Sequence, residues 1–529
     1  MQGDTTEPGL ATGPHDHRRR QAAAGPATGG FADYGGATGR TDMVERLQRW
    51  TGWMGGPLWM PIILLVEFAF IASMAVDPRL TVLAVGGIAA AVLVVEQPLL
   101  GVALLLGARL LSTGATVFFR IGHMGIGPFE PALLLCLGAL AFHGVFHRVR
   151  FWRAWPWRNA FLALGGFITL TILWSQSRSE TIGEIIPLAL VLANTLVILT
   201  FTRTWRDFRL LLLAWIGTCV LIALIATFTD NSAFLSSTQS FQAAAGGGRE
   251  TGLGQQPNWY AMNLMFIIPT CFGMALVERN RLLKLALVGA GAFIFFSMLQ
   301  SGSRGGAYAT LIGGGLVALA NRHFRKWFLR LMVASVVVGG LIVASNLSGA
   351  AALGRIASNG ITLNQSYRQW NWEVCWQLFQ DTHGLGIGAG GYTIVLPRYN
   401  YYLSQSLYDY PHGIFWEFLA HYGVIGLALL AWLIVAIVRM AADIVASTRG
   451  TVAEVVAWTM PAAMLGYFAW SFMEFTLTEK PFWEFLSLYT ALYFVARRAQ
   501  AGEIDPIPEW TLRPRLLGMG GETGQRPAS

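Results

Sequence analysis

The segment Leu210–Phe228, with the sequence LLLLAWIGTCVLIALIATF, decides the fold class of this chain. It carries no charged residue and approaches the roughly 20 residues that a helix needs to cross a bilayer. Similar runs recur through the chain, which is 54% hydrophobic and only 12% charged, with a mean hydropathy of +0.49. Backbone groups in lipid must be hydrogen-bonded within their own segment, so each run is predicted to be a helix. The sequence therefore predicts an all-α, polytopic membrane bundle.

Because several short runs are expected to merge or to form half-helices, the bundle should contain about 12–14 transmembrane helices. The runs are Pro57–Val76, Leu80–Val95, Pro98–Leu111, Pro128–Phe146, Asn159–Ser175, Ile182–Thr202, Leu210–Phe228, Asn258–Val277, Leu285–Leu299, Gly306–Ala320, Leu331–Asn346, Gly413–Val438, Val452–Phe472 and Phe482–Val495. The predicted organisation is a disordered cytoplasmic tail (1–50), transmembrane helices (57–346), one long extracytoplasmic loop (347–412), C-terminal transmembrane helices (413–495) and a cytoplasmic tail (496–529) that is predicted to be loose from residue 501 onward.

Lysine and arginine cluster in short connections between the runs, and such clusters mark the cytoplasmic loops of membrane proteins. The basic connections are His147–Arg158, Arg203–Arg209, Glu278–Lys284, Asn321–Arg330 and Arg439–Arg449. A count from a cytoplasmic N-terminus places all of them on the cytoplasmic side. The opposite face then receives Asp230–Pro257, Gln300–Gly305 and Leu347–His412. The net charge of +8 thus reflects topology, and no nucleic-acid partner is predicted.

The cysteines and the acidic residues predict neither a disulfide framework nor a metal site. Cys136, Cys219 and Cys271 lie within apolar runs, and Cys375 is alone in the long outer loop. No Cys/His cluster has zinc spacing, and no Asp-x-Asp occurs in the outer loops. No cofactor is predicted either.

Two outer motifs place an arginine just before a span. In RETGLGQQPN (Arg249–Asn258), glycine and proline predict turns, and Asn258 lies at a helix start, where it can donate and accept hydrogen bonds. In QSGSRGG (Gln300–Gly306), Arg304 follows Ser303 at the N-terminus of the next helix, whose free N–H groups favour an anion. The structural alternatives are a surface arginine beside an N-cap and a simple helix-hairpin turn. An arginine at membrane depth is costly, which favours a functional role.

The long outer loop holds an arginine followed by tryptophans. Arg368 precedes Trp370, Trp372 and Trp376 at about helical spacing, which predicts an amphipathic helix along the membrane surface. Aromatic belts at the interface explain these tryptophans without any sugar stacking. The glycine-rich run that follows, Gly386–Tyr392, is predicted to be a tight turn, because it follows a helix rather than a strand.

The loop re-enters the bundle at YPHG (Tyr410–Gly413). His412 can exchange a proton near neutral pH and is the candidate on the outer face for that work. The positive end of the helix dipole disfavours its charged form, whereas a nearby diphosphate would favour it. A lone interfacial histidine without a chemical role is the alternative.

The ordered set of motifs resembles a known family. Arg-x-x-Gly…Pro-Asn comes first, then Ser-Arg-Gly, then an arginine ahead of a glycine-rich turn, and finally Pro-His ahead of Tyr-Gly-Val-Ile-Gly. This order is similar to that of the bacterial O-antigen ligase/polymerase superfamily of polytopic glycosyltransferases. The resemblance covers about Arg249 to Val438.

The resemblance implies an enzyme that transfers a glycan from a polyprenyl-diphosphate donor to a hydroxyl of a glycan or glycolipid acceptor. It implies an inverting reaction without metal, at the periplasmic face of the bacterial inner membrane, with membrane lipids as further partners. Arg249 and Arg304 match positions that hold the diphosphate, and His412 matches the proposed base; we treat these three as catalytic. The substrate-binding candidates are Arg368, Asn258, Ser303, Glu417 and Trp370.

This chain departs from the family pattern at two places. The asparagine usual after Pro-His is Gly413, which removes an amide that could orient the histidine or a sugar. The glutamate usual before the closing Gly-x-x-Gly is His421, and Glu417, one helical turn earlier, is a candidate substitute.

The acceptor remains open from the sequence, since ligase, polymerase and protein-glycosylating activities all fit the motifs. The alternative from another class is a polytopic transporter or a flippase of lipid-linked glycans. Such proteins often show inverted repeats and charges near the bilayer midplane. The sequence has no obvious repeat, and Glu67 in the first span is the main residue that suits a proton-coupled carrier. A purely structural scaffold leaves the arginines unexplained.

Overall fold

The computed structural model describes residues 78–111, 119–121, 124–146, 154–228, 257–320, 325–326, 329–330, 365–401, 410–472 and 480–510. The chain divides into two compact units, Met1–Val85 and Gly86–Ser529. Of the first unit, only the backbone of residues 78–85 is described, as the beginning of a helix. All contacts given below lie within the second unit.

Several predictions from the sequence fall outside the described residues and stay predictions. They concern the N-terminal tail (1–50), the first span with Glu67, the arginine motif at Arg249 and the apolar run Leu331–Asn346.

The described residues are almost entirely helical, which confirms the predicted all-α bundle. The helices are α1 (Pro78–Glu96), α2 (Pro98–Leu111), α3 (Phe129–Phe146), α4 (Arg158–Leu170), α5 (Arg178–Phe201), α6 (Trp205–Phe228), α7 (Pro257–Met265), α8 (Ile268–Val277), α9 (Arg281–Gln300), α10 (Arg304–Ala320), α11 (Gln365–Asp381), α12 (Tyr392–Tyr399), α13 (Ile414–Ser447), α14 (Ala453–Ser471) and α15 (Lys480–Gln500). A 3-10 turn, Thr171–Leu173, directly follows α4. The sequence did not predict the small antiparallel hairpin of β1 (Phe119–Ile121) and β2 (Met124–Ile126).

Each apolar run that falls in the described residues coincides with a helix, and α7 and α8 together form one run. In the part of the chain that the structure describes, six segments are long and apolar enough to cross a membrane: α3, α5, α6, the α7–α8 pair, α9 and α13. The chain is therefore a multi-pass membrane protein in its architecture.

Helix α15 runs through the interior of the bundle, because every residue from Pro481 to Leu492 is buried. Its polar side chains are paired across helices, as burial in an apolar medium requires. Ser487 forms a 2.8 Å hydrogen bond with Thr195 of α5, and Trp157 donates to Thr490 over 2.9 Å. The core of the bundle is thus held by side-chain hydrogen bonds as well as by packing.

Helices α10 and α14 run antiparallel and approach each other backbone to backbone. A Cβ at Gly313 would lie 2.9 Å from the carbonyl carbon of Ala462, and one at Gly466 would lie 2.8 Å from that of Ala309. Only glycine allows such an approach, and small residues serve this purpose at membrane helix interfaces. These contacts fix which side of α10 faces α14.

Contacts between helix ends agree with the predicted grouping of the loops. Arg209 forms an ion pair with Glu278, and both belong to connections that the sequence places in the cytoplasm. Arg498, at the end of α15, donates to the carbonyl of Arg203 over 3.0 Å. The basic loops therefore meet one another at one end of the bundle.

Helix α13 has a break that the sequence did not reveal. Gly423 has φ 57° and ψ −150°, a conformation open essentially to glycine alone. The break separates Ile414–Tyr422 from a segment of membrane-spanning length, and the N–H of Val424 donates to the carbonyl of Gly384 over 3.0 Å. The predicted run Gly413–Val438 is thus two segments, the first of which packs with the outer loop.

Part of the C-terminal tail predicted at 496–529 lies within the described residues. Helix α15 continues to Gln500, and the chain then returns along the α13–α14 connection. Val452 donates to the carbonyl of Pro508 over 2.9 Å, and Trp510 donates to that of Gly450 over 2.8 Å. Apolar periodicity does not indicate such backbone pairing, so this return of the chain could not be predicted.

Candidate functional site

The start of α10 lies against the end of α14. A Cβ at Gly305 would lie 2.7 Å from Cδ1 of Trp470, and one at Gly306 would lie 2.9 Å from Cβ of Ala261 in α7. Arg304 is half-buried and is the first residue of α10. The two glycines after Arg304 therefore let its helix reach both α14 and α7.

The turn before Arg304 caps the start of α10. Gly302 adopts φ 62°, and the buried Ser303 accepts a 3.4 Å hydrogen bond from the N–H of Gly306. A guanidinium at a helix N-terminus adds its charge to the positive end of the helix dipole. The predicted helix start at Arg304 is confirmed, and the roles predicted for Ser303 and Arg304 stay predictions.

A buried cluster of hydroxyl and amide groups lies next to this turn. Tyr260 and Ser297 share a 2.5 Å hydrogen bond, and Thr227 donates to Gln300 over 3.3 Å. The cluster joins α6, α7 and α9 at the same end of the bundle. The sequence analysis missed it, because these residues lie inside apolar runs. Asn258 lies in the first turn of α7, three residues before Ala261, and so sits close to the start of α10.

His412 is held in an unusual backbone conformation. Its φ is 51°, its side chain is 1% exposed, and its ring lies tilted against that of Tyr410 with 3.8 Å between centroids. Gly413 follows with φ 145° and lies against the carbonyl group of Phe472, one residue beyond α14. Left-handed backbone at a non-glycine residue is uncommon and often marks a functional position.

One face of α11 packs against the His412 segment. Arg368, Asn371 and Trp372 share this face by helical spacing. Trp372 donates from Nε1 to the carbonyl of His412 over 3.2 Å and stacks on Trp416, with 5.6 Å between centroids. The helix predicted for this segment is therefore present, and one of its tryptophans also holds the backbone of His412.

The environment of His412 favours its neutral form. The pKa of this imidazole is lowered from 6.5 to about 3, first by burial and second by the positive charge of Arg368. Arg368 therefore lies close enough to His412 for their charges to interact. At neutral pH the ring carries a lone pair that can accept a proton, and a bound anion beside Arg368 would make the ring more basic.

Asn371 is a polar residue of this region that the sequence analysis missed. It is completely buried and accepts a 2.6 Å hydrogen bond from the hydroxyl of Tyr392 in α12. The missed signal is its spacing, three residues after Arg368 and next to Trp372. An amide thus stands one helical turn from Arg368, although Gly413 supplies none.

The glycine-rich run forms the predicted tight turn, and it is clamped between two parts of the chain. Gly388 donates to the carbonyl of His421 over 2.9 Å, which satisfies a carbonyl at the break in α13. From the N-terminal half, Thr181 donates to the carbonyl of Ala389 over 3.0 Å, and Thr171 accepts from its N–H over 3.1 Å. The corner between α4 and α5 therefore holds the turn between α11 and α12.

The remaining candidates lie on α13 and α11. Glu417 is buried, and its N–H donates to the carbonyl of Gly413 over 2.9 Å. His421 is buried one turn later, beside Tyr392 with 6.2 Å between ring centroids, and its ring nitrogens form no hydrogen bond with the residues that the structure describes. Trp370 is 39% exposed and so presents its ring at the surface.

Arg304 and His412, far apart in sequence, both lie at the end of α14, through Gly305 on Trp470 and Gly413 on Phe472. Arg368 lies beside His412. Arg249 falls outside the described residues. In the described part of the chain, no group of three or more His, Cys, Asp or Glu side chains is arranged to hold a metal ion.

The comparison with known families can be set against this geometry. The model of a family described as O-antigen ligase matches residues 289–431, about a quarter of the chain. This match supports the similarity to the O-antigen ligase/polymerase superfamily over that part of the chain. The matched range begins in α9 and ends in α13, so it contains Arg304, Arg368, His412 and Glu417. It supports a glycan-transfer role in O-antigen assembly. A search of curated proteins finds no match.

Proposed function

We propose that this protein transfers a glycan from a polyprenyl-diphosphate donor to an acceptor hydroxyl at the outer face of the bacterial inner membrane, with inversion and without metal. The observation that carries the proposal is the shared position of Arg304 and His412 at the end of α14, with Arg368 beside the histidine. A cation for an anionic leaving group and a neutral base for a hydroxyl are what this transfer requires.

In the proposed reaction, the acceptor oxygen attacks the anomeric carbon of the donor sugar and forms the new glycosidic bond. The bond from that carbon to the diphosphate oxygen breaks, and the diphosphate leaves with the electron pair. Arg304 and Arg368, together with Arg249, stabilise the charge that develops on the diphosphate. A ring nitrogen of His412 accepts the proton of the acceptor hydroxyl. The proton then passes to the departing diphosphate or to solvent.

Burial and Arg368 hold the pKa of His412 at about 3 in the protein without donor. A diphosphate next to Arg368 would offset that guanidinium charge and raise the pKa of the imidazole. The base would therefore strengthen when the donor is bound, which couples proton transfer to donor binding.

The test uses purified protein, a polyprenyl-diphosphate glycan and a glycolipid acceptor, in EDTA and without nucleotide. His412→Ala should lose transfer by about 10²–10⁴-fold, the usual contribution of a positioned base, while donor binding persists. His412→Asn should be equally inactive, although asparagine tolerates left-handed backbone well. His383→Ala is the matched control, because His383 is exposed and has the same φ of 51°.

The arginine arm separates binding from chemistry. Arg304→Ala should weaken donor binding and lower the rate, by about 10²–10³-fold if a charge-stabilising group is lost. Arg304→Lys should rescue this only partly, because ammonium lacks the bidentate fork. Arg398→Ala, at an exposed arginine of α12, is the control. Full activity of His412→Ala would refute the base assignment, and movement of lipid-linked glycan across the bilayer without bond formation would favour a flippase.

A further inference from the structure

The paired helices α10 and α14 present an exposed apolar face. On α10 it consists of Tyr308, Ile312, Leu316 and Leu319, which are 38%, 45%, 45% and 76% exposed. The first three follow one another at intervals of four residues and therefore form a stripe along the helix. Arg304 stands four residues before Tyr308 and heads the same stripe.

Helix α14 extends this face on the same side. On α10, Ala309 and Gly313 touch α14. Tyr308 comes one position before Ala309, and Ile312 comes one position before Gly313. On α14, Leu465 stands in the same relation to the contact residue Gly466 and is 43% exposed. Because the helices run antiparallel, positions one before a contact residue lie on the same side of both. The exposed side chains therefore form one continuous surface.

The outer end of this surface leads to the proposed site. Phe472 is 54% exposed, its ring stacks on that of Phe415 with 6.4 Å between centroids, and its carbonyl group lies against Gly413. Arg304 is the only charged residue of α10, and Glu454, at the opposite end, is the only one of α14. The face thus has a cation at one end and an uncharged surface along its length.

We propose that the isoprenoid chain of the lipid-linked donor lies along this face, from Arg304 toward the other end of α10. The inference rests on the proposed function and adds the location of the lipid. The occupant follows from charge complementarity, because an anionic head joined to a long apolar chain matches a cation that heads an apolar stripe. At about 1.5 Å per residue, α10 gives such a chain a track of about 25 Å.

Affinity alone cannot locate an isoprenoid chain in a membrane, since lipid tails are as apolar as leucine. The test therefore uses an undecaprenyl-diphosphate glycan that carries a diazirine in the isoprenoid chain, with the full-length protein in nanodiscs. After irradiation, the labelled peptides should come from α10 and α14. Excess unlabelled donor should suppress the label, whereas undecaprenol without diphosphate should not.

Bulky substitutions on the face provide the second arm. Ile312→Trp and Leu465→Trp should reduce labelling and raise KM for the long-chain donor, by about tenfold for a loss of about 1.4 kcal/mol in binding. The KM for a donor that carries a short, two-isoprene chain should not change. Leu104→Trp is the matched control, because Leu104 of α2 is 49% exposed and lies away from this face.

The outcomes separate this inference from the proposed function. Labelling of other helices by a protein that still transfers glycan would overturn the location alone. Labelling of α10 and α14 by a protein that forms no glycosidic bond would refute the transferase proposal and leave the lipid site standing. An Ile312→Cys variant that forms disulfide-linked dimers in the membrane would show that a second copy covers the face, which would also overturn the inference.

Discussion

Replacement of Gly413 by asparagine, the residue usual in the superfamily that this chain resembles, should damage the protein instead of restoring a family feature. A Cβ at this position would lie 3.0 Å from the carbonyl carbon of Phe472, whereas carbon atoms pack favourably at about 3.5–4.0 Å. The φ of 145° adds backbone strain of about 1–3 kcal/mol for any side chain. Overpacking typically costs a further 1–3 kcal/mol, so the expected loss is roughly 3 kcal/mol or more.

Two glycines allow the two causes to be separated in a thermal unfolding assay that follows tryptophan fluorescence. Gly502 has φ 71° and no atom within 4 Å of an added Cβ, so Gly502→Ala measures backbone strain without a clash. Gly217, inside α6, has neither a positive φ nor a close neighbour, so Gly217→Ala should be neutral or slightly stabilising. The loss of stability should increase from Gly217→Ala to Gly502→Ala to Gly413→Ala.

Glycan transfer gives the functional side of the same prediction. A shift of the backbone at position 413 moves His412, and a displacement of about 1 Å can cost about 10²-fold in rate. Gly413→Asn and Gly413→Ala should both show this loss, whereas Gly502→Ala should transfer at the rate of the parent protein. A Gly413→Asn variant with parental stability and activity would refute the geometry described for His412 and Phe472.

The remaining predictions concern pH, the helix break and topology. Arg368→Gln removes the second cause of the low pKa of His412 but leaves the imidazole buried. The acid limb of the pH profile of kcat/KM should therefore move to higher pH, by less than the full distance from about 3 to 6.5. The control Arg398→Gln should leave this limb where it is. Because the folded-state pKa of His412 is lowered, the contribution of this residue to stability is lost as pH falls from 6.5 toward 3. Denaturant unfolding across that pH window should show a smaller loss of unfolding free energy in Arg368→Gln than in the parent protein. Gly423→Ala should destabilise the protein by roughly 3 kcal/mol, because its Cβ would meet backbone atoms at 2.7 Å and its φ is positive. Normal stability of this variant would contradict the break in α13 at Gly423. A cysteine at Asn400, on a background without other cysteines, should react with a membrane-impermeant reagent from outside, and labelling only after permeabilisation would invert the topology.

The helices and the placement of Arg304 could be predicted from the sequence, because both depend on local signals. Long apolar runs indicate helices in a membrane, and the Ser-Arg-Gly-Gly turn indicates the start of a helix. The break at Gly423 could not be predicted, since Tyr-Gly-Val-Ile-Gly reads as part of an apolar run. What breaks the helix there is a distant partner, the carbonyl of Gly384.

The sequence also could not predict that His412 and Arg304 lie close to α14. It depends on where Trp470 and Phe472 come to lie, and neither residue belongs to a motif. The buried Asn371 was missed for a related reason. A polar residue among tryptophans is typical of a surface helix. Only the fold brings the hydroxyl of Tyr392 to Asn371 and shows that this residue is buried.

The hydrogen bonds between Ala389 and the corner at Thr171 and Thr181 bear on how this protein can be divided. The stretch that the family model matches, 289–431, contains Arg304, Arg368 and His412, yet the turn between α11 and α12 is held by residues more than a hundred positions upstream of the stretch. A fragment cut at the matched boundaries would lose those partners. A chimera that is meant to exchange acceptor preference between relatives should therefore transfer the α4–α5 corner together with the outer loop, as a single unit.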